Sequence, residues 1–147
     1  MKFHRPTPEQ AMAQMIADIE ESKRIIDALM DYDLLDEDGY PTDEALQIVE
    51  EWHWSDPKGW FEFINGIWHL KSWGWCEGML ADDYNEGELS YQYHISTAGW
   101  SGNENLIRSM QKNHMLWDLN WVQSRRGGHY IFELRDHGNQ EEEDSRG

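Results

Sequence analysis

Apolar residues recur at helical spacing through the first third of the chain, and the pattern changes to alternation after about residue 73. Met12, Met15, Ile16, Ile19, Ile26 and Leu29-Met30 lie roughly three or four apart, which makes one apolar stripe on a helix. Ahead of them, Thr7-Pro8-Glu9-Gln10 supplies a capping Thr, a Pro at the first helical position and a Gln at the capping-box position. A helix is predicted from there to about Tyr32. Asp36-Glu37-Asp38-Gly39 reads as a turn, and Pro41-Thr42 opens a second helix with Ala45, Leu46, Ile48, Val49 and Trp52 on its buried side. A third helix follows Ser55-Asp56-Pro57, with Trp60, Phe61, Ile64, Ile67 and Trp68 facing inward. Gly59 and Gly66 oppose helix there.

Beyond this point the spacing predicts strands over Trp73–Leu80 and Leu89–Thr97, joined by the polar turn Asp82–Gly87. Tyr91, Tyr93 and Ile95 alternate with Gln92, His94 and Ser96, giving one apolar and one polar face. Ser101-Gly102-Asn103-Glu104 starts a helix carrying Leu106, Ile107 and Met110. Two more strands are predicted over Met115–Ser124 and His129–Leu134, with Trp117, Leu119 and Trp121 on one inward face. Arg125-Arg126-Gly127-Gly128 turns the chain between them, because consecutive glycines suit the positive backbone angles of a hairpin loop. Three helices followed by β-β-α-β-β predict an α+β fold, an antiparallel sheet of about four strands with helices packed on one face. One domain is expected over residues 1–136. An acidic, disordered tail is expected over 137–147, which contains Glu141-Glu142-Glu143-Asp144.

Composition narrows the functional classes. The 147 residues carry a formal net charge of -17, which opposes a general grip on nucleic-acid backbone or on anionic membrane surfaces. No direct nucleic-acid binding and no membrane association are therefore expected. Nine Trp, six Tyr and four Phe mark a chain with a core in spite of the charge. No apolar run reaches the ~18–20 residues of a membrane span, the N-terminus lacks a secretory pattern, and Cys76 is alone, so the bacterial host cytoplasm is the expected compartment. The charge is also uneven. Asp27, Asp31, Asp33, Asp36, Glu37, Asp38, Asp43, Glu44, Glu50, Glu51 and Asp56 fall in a stretch that has no Lys or Arg, whereas Arg125-Arg126 gather on the later hairpin.

The candidate chemistry centres on two glycine-rich loops. Unpaired N–H groups at the helix start Trp100-Ser101-Gly102-Asn103-Glu104 form a potential anion site, and Arg125-Arg126-Gly127-Gly128-His129 adds guanidinium forks. If the loops meet at one end of the sheet, they make a polar pocket walled by Trp100 and Tyr130, with His94 on the adjoining strand. Such a pocket suits a small anionic or nucleotide-like ligand. Equally, Ser101 can be a simple helix cap and the glycines simple turn residues.

The elements Gly99-Trp100-Ser101-Gly102-Asn103-Glu104 and Ser124-Arg125-Arg126-Gly127-Gly128-His129-Tyr130 resemble a small protein family met in phages and prophages, over about Tyr40 to Leu134. The resemblance implies a phage accessory role, a class rich in inhibitors of host enzymes and defences, and carries over no catalytic residue. Joined to the loop chemistry, it suggests a sponge for an immune signalling nucleotide.

Two other functions compete. The acidic helices, with Asp36, Glu37, Asp38, Glu50 and Glu51 beside Trp52 and Trp54, can imitate nucleic acid and block a basic host protein. The two Trp are then expected to be exposed. A small hydrolase would need Ser96 or Ser101 as nucleophile, His94 or His129 as base and Glu104 as acid, but the Gly-x-Ser-x-Gly spacing is missed by one residue. Seven scattered His and a single Cys point to no metal site and no cofactor. Asp36–Gly39 fails as a calcium loop, since Leu34 and Ala45 would occupy ligand positions. A homodimer is the expected oligomer on base rates.

Overall fold

The computed structural model describes residues 5–82 and 87–134. The expected tail over 137–147, Arg135 and most of the turn between the first two strands lie outside the described residues.

Helix α1 spans Pro8–Leu29 and begins as the capping box predicts. The Gln10 N–H donates to Thr7 Oγ1 at 3.1 Å and the Thr7 N–H to Gln10 Oε1 at 2.9 Å. It stops at Met30, short of Tyr32, and the next segment is organised by Asp36. One carboxylate oxygen of Asp36 accepts from the N–H groups of Asp38 and Tyr40, both at 2.9 Å. Thr42 then caps α2, Asp43–Glu51. Asp56 caps α3, Pro57–Ile67, by accepting from the Gly59 N–H at 3.1 Å. A Cβ on residue 59 would fall 2.1 Å from Asp56 Oδ2. Gly59 is a poor helix former, but its lack of a side chain leaves room for this cap.

The expected start of the first strand is instead a single helical turn, α4, Lys71–Gly74. Gly74 lies so close to the Ser96 carbonyl that a Cβ would come within 2.9 Å of it. Strand β1 follows at Trp75–Ala81, β2 at Leu89–Ser96 and α5 at Ser101–Lys112. A larger correction concerns Met115–Ser124, predicted as one strand. His114–Asn120 forms helix α6, and only Trp121–Arg125 forms strand β3. Asn113 decides the matter. Its Oδ1 accepts from the Leu116 N–H at 3.4 Å, and its Nδ2 donates to the carbonyls of Val49 and Trp52 at 3.0 Å each. The alternation of Trp117, Leu119 and Trp121 therefore does not mark one inward face. Leu116 is fully buried and Trp117 packs against Phe132, while Leu119 and Trp121 are exposed. Strand β4 is His129–Glu133.

The four strands form an antiparallel sheet in the order β1-β2-β4-β3. One face carries Tyr93, Ile95 and Phe132 into a core with Trp60, Phe61 and Ile64 of α3, Leu106 and Met110 of α5, Leu116 of α6, and Ala45 and Val49 of α2. Phe61 stacks on Tyr93 with ring centroids 4.0 Å apart, and the Trp60 indole donates to the Val49 carbonyl at 2.9 Å. The architecture is α+β, with helices on one face of the sheet. Among the described residues, no helix is long and apolar enough to cross a membrane.

Candidate functional site

The two glycine-rich loops are neighbours. The Thr97 N–H donates to the Gly128 carbonyl at 3.0 Å, and Gly128, at φ +79°, sits so close that a Cβ would lie 2.3 Å from Thr97 Oγ1. The side chains of the two loops nevertheless serve different surroundings.

In the first loop the chain folds back on itself. Ala98 and Gly99 take positive φ, and the Gly99 N–H donates to Thr97 Oγ1 at 3.3 Å. This brings the Trp100 indole down onto the first turn of α5, where a Cβ on Gly102 would meet the ring at 2.2 Å. The same indole lies against Tyr40 and His69, with ring centroids at 4.6 and 4.2 Å. Asn103 is completely buried. Its Nδ2 donates to the carbonyls of His69 at 2.9 Å and Thr97 at 3.4 Å, and its Oδ1 accepts from the His69 N–H at 3.0 Å. Ser101 is not the helix cap: Trp100 occupies that position, and Ser101 Oγ donates to the Tyr40 hydroxyl at 3.1 Å. Glu104 is exposed, with its N–H on the Trp100 carbonyl. Trp100, Ser101, Gly102 and Asn103 thus tie α5 to the Tyr40 segment and to the His69 linker.

The second loop borders a pocket of about 410 Å³ on the face of the sheet away from the helices. Strand alternation puts Cys76, His94, Ser96 and His129 on this face, and the register sets Cys76 across from His94 and Ser96 across from His129. Arg125, Arg126, His129 and His94 line the pocket, joined by Trp73, Cys76 and Ser96. Tyr130 also borders it, but its ring packs on Trp117 and the core at the other face of the sheet and does not wall the pocket. Trp73 is 70% exposed. Arg125 Nε donates to Gln123 Oε1 at 3.1 Å, and His94 Nε2 lies 2.9 Å from Gln92 Oε1. Neither arginine is in an ion pair among the described residues, where the single ion pair joins Arg24 to Glu21. A smaller depression of about 230 Å³ shares His94, Arg125 and Ile131 and is bordered by Glu133. Glu133 is buried and its Oε2 accepts from Ser90 Oγ at 3.1 Å.

Two guanidinium groups and two imidazoles around one cavity, with an indole at its side, are suited to holding an anion that bears an apolar or aromatic part. The nucleophile candidates separate. Ser101 is held at Tyr40, and Ser96 Oγ accepts from the Ala98 N–H at 3.2 Å. No hydrogen bond joins a Ser to His94 or His129 among the described pairs. No group of three His, Cys, Asp or Glu able to hold a metal occurs among the described residues.

Trp73 and Cys76 escaped the sequence reading. Trp73 reads as a strand residue, yet it belongs to α4. Cys76 reaches the pocket through the β1–β2 register, which a long polar turn leaves open.

The acidic residues divide as well. Glu37, Asp38 and Glu51 are exposed, Asp36 is engaged in its turn, and Glu50 accepts from Ser109 Oγ at 2.8 Å. A cleft of about 550 Å³ between α2 and α5 places Glu50 and Glu51 opposite Arg108 and Lys112, so this part of the surface alternates in sign. Trp54 is 40% exposed, as expected for a surface anchor. Trp52 is not. It packs on Phe63 at 5.7 Å, and its indole N–H donates to the Asp56 carbonyl at 3.0 Å.

Among the described residues, His53, Tyr91 and Tyr93 titrate away from their ordinary ranges. Burial lowers His53, partly opposed by Asp18, and its Nδ1 accepts from the Ser55 N–H at 3.1 Å. The hydrogen bond to Glu77 Oε2, at 2.6 Å, pushes Tyr91 up to about 12, helped by burial. Burial, then the Glu77 carboxylate, raises Tyr93.

Comparison of the chain with protein-family models, with curated proteins and with solved structures found no match in any of the three.

Proposed function

We propose that the protein is a non-enzymatic binder that captures a small anionic, nucleotide-like ligand on the outer face of its sheet, between Arg125, Arg126, His129 and His94. The supporting observation is the convergence of these groups on one pocket in a molecule of net charge -17. Its volume of about 410 Å³ lies in the range of small-molecule sites, about 300–1,000 Å³. Trp73 offers a face on which a base can stack. In the phage setting implied by the two loop motifs, the ligand is an immune signalling nucleotide and the protein acts as its sponge.

Thermal melting against phosphate, sulfate and linear and cyclic nucleotides tests this reading. A ligand at 100 times its dissociation constant stabilises by about 2.7 kcal/mol, which raises the melting point by several degrees. The rise should shrink with added salt and vanish in Arg125→Ala/Arg126→Ala. A flat panel, or a shift that survives the double substitution, overturns the site. Chromatography of the recovered ligand separates capture from turnover.

A second reading, an acidic decoy for a basic host protein, draws on the exposed run Asp27, Asp31, Asp33, Glu37 and Asp38. Charge reversal at Glu37 and Asp38 would abolish that inhibition and leave nucleotide binding intact.

A further inference from the structure

Helix α1 leaves part of its apolar stripe uncovered. Of its 22 residues only Ile26 is buried. Met12 is 59% and Ile16 49% exposed, and Met30 is exposed at the far end. At 100° per residue, Met12, Met15, Ile16 and Ile19 nonetheless share one face. A helix of this length owes its stability in water chiefly to packing of such a face. Within one protomer Met15 and Ile19 are half-buried, Met15 bordering a cavity shared with His53 and Trp54, while Met12 and Ile16 stay open.

The charges beside the stripe indicate what covers it. Glu9 and Lys23 are both exposed, and each lies seven residues from Ile16. Seven residues are nearly two full turns, so both side chains fall in line with Ile16 on the apolar face. Two such helices laid antiparallel about a two-fold axis at Ile16 bring Glu9 of each level with Lys23 of the other. The four apolar residues meet their counterparts between these pairs. Residues 5–30 carry three basic and five acidic side chains, far closer to balance than the chain as a whole. A general basic partner would find stronger attraction on the acidic segment that follows.

We infer that α1 is a dimerisation element, and that its partner is the α1 of a second copy, antiparallel and centred on Ile16. Nothing in this depends on the outer-face pocket. Light scattering after size exclusion, at protein concentrations from about 10 to 300 μM, should show a mass rising from 17.5 kDa toward twice that value. Ile16→Glu should hold the mass at the monomer value with an unchanged circular dichroism spectrum. Glu9→Lys and Lys23→Glu should each weaken the dimer about three- to tenfold, as like charges then face each other, and the two changes together should restore it. A monomer at every concentration overturns the inference. So does a dimer indifferent to Ile16→Glu or to the single reversals. A monomer that sediments with phosphatidylcholine vesicles would also overturn it, assigning the face to a lipid surface.

Discussion

The loops at Ala98–Asn103 and Arg125–Gly128 have similar glycine-rich compositions and touch through Thr97 and Gly128, yet they do opposite work. The first turns its aromatic and amide side chains into the protein, where Asn103 satisfies both backbone groups of His69. The second holds two guanidinium groups that a small core cannot bury without partners, so they stay at the surface beside the pocket. Glycine content marks where a chain can turn sharply, whereas the polarity and reach of the flanking side chains decide whether the turn locks the fold or stays at the surface.

Asn103→Ala is the harshest way to break this contrast. It leaves a buried N–H and carbonyl without their partners and should cost about 2–4 kcal/mol, read as a lower denaturation midpoint at unchanged slope. Gly128→Ala should follow at about 1–3 kcal/mol, because its φ of +79° and the contact with Thr97 both oppose a side chain. Since it strains the seam shared by the loops, ligand affinity should fall with it. Arg125→Ala/Arg126→Ala should change stability by no more than about 0.5 kcal/mol while removing the ligand-induced rise in melting point. If that pair destabilises as much as Asn103→Ala, the division between the loops fails.

The smallest effect is expected at His53, outside both loops. Its folded pKa is depressed by burial, so the unfolded chain takes up the proton first as pH falls. The contribution of neutral His53 is complete above about 6.5 and is lost as pH drops below that value. His53→Gln should flatten the difference in melting point between pH 7.5 and pH 5.5 relative to the parent protein.

Much of the fold is legible in local signals. The capping box at Thr7–Gln10, the caps at Thr42 and Asp56 and the alternation in Leu89–Ser96 each state their element directly. Helix α6 is hidden because Trp117, Leu119 and Trp121 satisfy a period of two, while the opposing evidence is a tertiary one, the bond from Asn113 to Val49 and Trp52. The site was half legible for the same reason. Arg125, Arg126, His129 and His94 can be proposed from charge and alternation, but the turning of Trp100 onto Gly102 depends on Tyr40 and His69, which lie far away in sequence.

Among the described residues strand β4 is the last in chain order, yet it lies between β2 and β3. Until His129–Glu133 leaves the ribosome, the β2 edge of the β1–β2 hairpin is unpaired and β3 has no strand to join. Synthesis therefore holds a half-built sheet with Tyr93 and Ile95 incompletely covered, and the closing step inserts a strand between two waiting ones. The half-built sheet is the part most in need of protection during that interval. A stalled or shortened product ending before residue 129 should accumulate as aggregate, whatever ligand is supplied.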